Sequence, residues 1–152
     1  MSTYETMLDR AIVINSLKSE DIFSAIAELT DALVASGLLA EDKRDEAKQA
    51  IVRREMSAST VMTDEIALPH GRTDVVNELI CAIGLHKEGF AADAPDGLPT
   101  RVVILMLVPP AAGSGYTTFL GTVSRTLMDD DKRAAMIAAT DRETVLNILR
   151  SK

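Results

Sequence analysis

The stretch Val102-Val103-Ile104-Leu105-Met106-Leu107-Val108-Pro109 decides the fold. Every residue before the proline is apolar, and no polar position interrupts the run. A strand with one wet face alternates, so an unbroken aliphatic run reads as a strand covered on both faces. Pro109 lacks the N–H that a ladder needs and ends it. Cover on both faces has to come from helices, and helical patterns flank this run on either side in the chain.

Upstream, residues 79–85 form a second apolar run, separated from the first by the turn Ala94-Pro95-Asp96-Gly97. Ile66-Ala67-Leu68 reads as a brief strand halted by Pro69, and Ala11-Ile12-Val13-Ile14 as a short β-type run ending at Asn15. Ser19 fits a helix N-cap with Glu20 and Asp21 in the first turn. Ile22, Ile26, Leu29, Leu33 and Val34 follow at helical spacing, with Gly37 as the stop. A second helix is expected over 41–55, with Ala47, Ala50 and Ile51 facing inward. From Met56 to Thr63 the periodicity fails and small and hydroxyl residues read as a loop. Beyond the loop Pro109-Pro110-Ala111-Ala112-Gly113-Ser114-Gly115, helical patterns cover 117–128, 132–139 and 141–150. Helices at both ends with strands between them make an α/β layered domain. Without an internal repeat, low-complexity stretch or linker, residues 1–152 read as one domain.

Composition narrows the function. A net charge of −7 excludes nucleic acid, whose phosphates are met by clustered Lys and Arg. With no Trp, two Tyr and three Phe, there is little on which to stack bases. The single cysteine, Cys81, cannot form an internal disulfide. The N-terminus lacks signal-peptide features, and the longest apolar run is far below the roughly 20 residues that span a bilayer. These features point to the cytoplasm, with no direct membrane insertion.

The chain has two histidines. His86 closes the 79–85 strand and reads as an ordinary polar strand end. Cys81 and His86 are five apart on a strand, so alternation puts them on opposite faces, and no metal site is expected. His70 follows a proline, precedes Gly71 and lies where a short strand meets a loop, an edge that can hold a side chain toward a cleft. Spacing alone leaves a polar loop residue equally open. Arg53, Arg54 and Glu55 precede Ser57, Ser59 and Thr60, and an arginine with hydroxyls and free loop N–H groups suits an anion. A neutral imidazole beside them suits phosphoryl transfer, where positioning and charge stabilisation carry the catalysis. The two arginines equally suit the ordinary preference of cations for a helix C-terminus.

The stretch Arg53-Arg54-Glu55-Met56-Ser57-Ala58-Ser59-Thr60, followed by Ile66-Ala67-Leu68-Pro69-His70-Gly71, resembles the enzyme IIA domain of the mannitol/fructose class of the bacterial phosphotransferase system. That family includes the nitrogen-regulatory enzyme IIA. The likeness continues through Asp96-Gly97-Leu98-Pro99 and the closing helices. It implies a mixed β-sheet flanked by helices and a phosphocarrier of sugar transport that needs no cofactor. On this resemblance His70 is the residue phosphorylated by the phosphocarrier protein HPr, and Arg54 is a phosphate or partner-docking contact. Ser59 and Thr60 match the pair lining the site, Glu55 matches the adjacent acid, and the phosphate passes to a IIB domain.

Two departures stand out. Many relatives have a second active-site histidine where this chain has Tyr116, whose hydroxyl can donate to a phosphoryl oxygen but cannot become cationic. Where relatives are glycine-rich, this chain has Val61, Met62, Thr63, Asp64 and Glu65, and the two carboxylates are expected to repel a nearby phosphate. Two functions follow: a working phosphocarrier, or a regulatory module that keeps the fold and controls partner proteins by docking.

Overall fold

The computed structural model describes residues 3–113 and 115–151; Ser114 of the small-residue loop therefore lies outside the described residues. The strands are β1 (Ile12–Ile14), β2 (Ile66–Ala67), β3 (His70–Arg72), β4 (Ile80–Phe90) and β5 (Thr100–Val108). The helices are α1 (Thr3–Arg10), α2 (Ile22–Ala35), α3 (Arg44–Ser57), α4 (Gly115–Leu127), α5 (Asp130–Ala138) and α6 (Arg142–Arg150).

The strands form one mixed sheet. β4 and β5 run antiparallel, β1 lies parallel to β4, and β2 and β3 lie end to end along the other side of β5, both parallel to it. The apolar run behaves as its composition requires. Val102, Ile104, Met106 and Val108 face one core with Phe119, Val123, Leu127, Val145 and Leu149. Val103, Leu105 and Leu107 face the other core with Ile26, Leu29, Leu33 and Ile51. α1, α4, α5 and α6 thus cover one face and α2 and α3 the other, a three-layer α/β sandwich.

Three local readings change. The N-cap of α2 is Asp21, whose carboxylate accepts from the Ser24 N–H while the Ser24 hydroxyl accepts from the Asp21 N–H. The Ser19 hydroxyl instead donates to Glu28, at 2.5 Å. α1, which the strand and helix reading passed over, packs Met7 and Leu8 into the first core, and its Tyr4 hydroxyl donates to the Leu149 carbonyl at 2.5 Å. Pro69 interrupts the edge without ending it, because β3 resumes one residue later.

Candidate functional site

His70 opens β3 opposite Met106 of β5. Alternation sends the His70 and Arg72 side chains to one face of the edge and leaves Gly71 between them facing α3. A Cβ on Gly71 would lie 2.7 Å from the Ile51 nitrogen, so glycine is what lets α3 approach this closely. The half-buried His70 ring lies on the α4 side. Its centroid is 5.9 Å from that of Tyr116, the second residue of α4. The Arg72 guanidinium sits over the same tyrosine ring, 5.3 Å from its centroid.

The imidazole is held from the backbone. His70 Nδ1 lies 2.9 Å from the Leu68 carbonyl oxygen. A carbonyl only accepts, so Nδ1 is the donor, and in the neutral ring Nε2 is the nitrogen with the free lone pair. Leu68 can offer that oxygen because the ladder to β5 is taken by its neighbour: the Met106 N–H donates to the Pro69 carbonyl at 3.0 Å.

The residues ahead of the edge form a second group. The Arg54 guanidinium donates to the Ala58 carbonyl at 2.7 Å. The buried Glu55 carboxylate accepts from the Thr60 N–H at 2.9 Å and from the Thr60 hydroxyl. The Ser59 hydroxyl accepts from the Val61 N–H at 3.1 Å. Together these bonds clamp the turn from α3 to β2, where the Leu68 N–H donates to the Thr60 carbonyl. Among the described residues no hydrogen bond, ion pair or ring contact joins Arg54, Glu55, Ser59 or Thr60 to His70. The direct contacts thus link Tyr116 to both His70 and Arg72, while Arg54, Glu55, Ser59 and Thr60 bond within the turn ahead of the edge. Arg72 had escaped the sequence reading, although its position two residues beyond His70 on a strand was the available signal.

The expected repulsion from Asp64 and Glu65 is also corrected. Ile66 pairs with Val102 and His70 with Met106, so the two carboxylates precede His70 by more than four strand steps, or over roughly 13 Å. Glu65 is moreover neutralised by Arg101 and Arg133. Burial opposes the Arg133 charge, but the hydrogen bonds and charges of Asp130 and Glu65 outweigh it and hold the guanidinium above its ordinary range.

Cys81 is fully buried on the first core face, and burial pushes its thiol up to about 12, so it supplies no thiolate nucleophile at neutral pH. His86 accepts from the Gly89 N–H through Nδ1 at 2.8 Å and sets its ring edge-on to Phe90. No group of three His, Cys, Asp or Glu among the described residues is placed to hold a metal.

The family described as phosphoenolpyruvate-dependent sugar phosphotransferase system, EIIA 2, matches residues 6–152. A fructose-specific EIIA component of a phosphotransferase system from Haloferax volcanii is 35% identical over 125 residues, which cover 82% of this chain and 80% of that protein. Among solved structures, the nitrogen regulatory protein IIA-Ntr from Neisseria meningitidis superposes with a TM-score of 0.79 at 22% identity, covering 93% of this chain and 94% of that one. The complex of the mannitol enzyme IIA with phosphorylated enzyme IIB from Escherichia coli gives 0.75 at 21% identity, covering 92% and 94%. A family match over nearly the whole chain, a relative above 30% identity and a shared fold agree. The chain belongs to the EIIA 2 family of the phosphoenolpyruvate-dependent sugar phosphotransferase system, as a phosphotransferase component of the mannitol/fructose class.

Proposed function

We propose that this protein carries a phosphoryl group on Nε2 of His70, taken from the phosphocarrier protein HPr and passed to a IIB domain in the cytoplasm. The observation that carries the reading is the Nδ1 contact with the Leu68 carbonyl, which fixes the tautomer and leaves Nε2 as the nucleophile. The Nε2 lone pair forms the new N–P bond while the donor's N–P bond breaks, its electron pair returning to the donor imidazole. In the second transfer a cysteine thiolate of the IIB domain forms the S–P bond, and the N–P pair returns to Nε2. Nδ1 keeps its proton on Leu68 throughout, so neither step needs a proton relay.

The Tyr116 hydroxyl donates to a phosphoryl oxygen in this scheme, beside the first N–H groups of α4, which favour an anion. Arg54, Glu55, Ser59 and Thr60 shape the turn against which a partner docks. A similarity to the regulatory IIA-Ntr fold, together with tyrosine in place of a second histidine, favours a second reading in which phosphate is accepted but serves to switch docking.

The test is incubation with phosphoenolpyruvate, enzyme I and HPr, read by intact mass, followed by addition of a IIB domain. The expected result is one phosphoryl group on the wild type, none on His70→Ala, and loss of the label to IIB. A label retained in the presence of several IIB domains would favour the regulatory reading. Labelled His70→Ala would overturn both.

A further inference from the structure

A phosphoryl group on His70 brings negative charge to a chain that already carries −7, and Tyr116 beside it cannot become cationic. Arg72 is placed to answer that charge. It lies two residues beyond His70, about 6.6 Å along the strand and on the same face, within reach of an arginine side chain. Its guanidinium rests on the Tyr116 ring, and that ring also flanks His70. The tyrosine ring thus touches both the arginine head and the histidine, and it limits where the head can go.

The guanidinium is also free to bind. It makes one long hydrogen bond, to the Pro110 carbonyl at 3.3 Å, and pairs with no carboxylate among the described residues. Of its five N–H donors, one is so engaged. The remaining fork matches two oxygens of a phosphoryl group, which lysine, a point charge, cannot do.

We propose that Arg72 is the cation that holds the phosphoryl group on His70, with the Tyr116 ring as the surface that aims it. The proposal rests on phosphorylation of His70, and it assigns a binding role to a residue outside the Arg54 clamp.

Two phosphoryl donors separate binding of phosphate from docking of a protein. One is phosphoramidate, a small molecule that needs no docking surface; the other is phosphorylated HPr at saturating concentration. Rates are measured for wild type, Arg72→Gln, Arg72→Lys, His70→Ala and Arg125→Gln, an exposed α4 arginine that serves as control. Arg72→Gln is expected to slow labelling at least tenfold with both donors, and Arg72→Lys to recover part of the loss. Raising the salt concentration should narrow the gap, because the charges are exposed. Arg125→Gln should label like the wild type. Wild-type rates in Arg72→Gln with phosphoramidate would overturn the proposal, whatever HPr does, since a docking role alone leaves the small donor unaffected. A labelled His70→Ala, or a wild type that takes phosphate from neither donor, would instead overturn phosphorylation of His70 itself.

Discussion

A Cβ on Gly71 would stand 2.7 Å from the backbone nitrogen of Ile51 and 2.8 Å from the carbonyl carbon of Ala50. α3 thus crosses β3 backbone to backbone, and backbone cannot move aside as a side-chain tip can. Gly71→Ala should destabilise the protein by about 1–3 kcal/mol, the range for overpacking a well-filled site. Because β3 carries His70 and Arg72, the same change should slow labelling of His70. Denaturant midpoints and labelling rates of the two proteins check this. Identical values for both would mean that α3 and β3 have room to part.

Asp64 and Glu65 hold positive φ angles of 62° and 71°, a region where side chains are strained. At Glu65 the strain is offset by its bonds to Arg101 and Arg133. Glu65→Ala removes the carboxylate and keeps the strain; Glu65→Gly removes both. Both variants should be less stable than the wild type, with the glycine variant the better of the two by about 1 kcal/mol. Thermal unfolding of the three proteins tests the order. Alanine matching glycine would show that the backbone relaxes once the carboxylate is gone.

Thr100 opens β5 fully buried, and its hydroxyl has no hydrogen-bond partner among the described residues. A buried hydroxyl without a partner keeps its desolvation cost, so Thr100→Val, nearly the same shape, should raise stability by about 1 kcal/mol. A fall in the unfolding midpoint would mean that the hydroxyl is satisfied in solution.

Two exposed carboxylates link stability to acid. Backbone N–H groups of Asp64 and Leu98 hold Asp96 below the usual carboxylate range, and the Thr144 N–H does the same for Asp141 at the N-cap of α6. A carboxyl depressed on folding stabilises fully above its unfolded value and loses that contribution as pH falls through the folded one. The unfolding midpoint should therefore decline below about pH 4. Asp141→Asn, which also caps well, should keep neutral stability and flatten this acid limb. A curve of wild-type slope in Asp141→Asn would assign the acid sensitivity to other groups.

What was legible in the sequence was what local chemistry imposes. The 102–108 run announced cover on both faces, and the cores of α2 and α3 followed from helical spacing. Proline and glycine around His70 marked an edge. β3 was not legible, because His-Gly-Arg has no strand propensity and becomes a strand only through pairing with Met106, Leu107 and Val108. α1 was missed for its shortness, although Tyr4, Met7, Leu8 and Ala11 carry helical spacing. Its stability comes from tertiary packing and from contacts with α6 at the far end of the chain. Which of the candidate residues touch His70 directly was hidden for a similar reason. Spacing in sequence says that residues are near an edge, not which face of it they reach.

The alternation of the edge has a chemical consequence for the imidazole. Pro69 offers its carbonyl to β5, Leu68 turns its own away from the ladder, and that oxygen accepts a hydrogen bond from Nδ1. Many histidines are oriented by a carboxylate, which titrates and can be silenced by acid. Here the orienting group is a peptide carbonyl, which does not ionise. The choice of reactive nitrogen is thereby written into the main chain and does not depend on the identity of any neighbouring side chain.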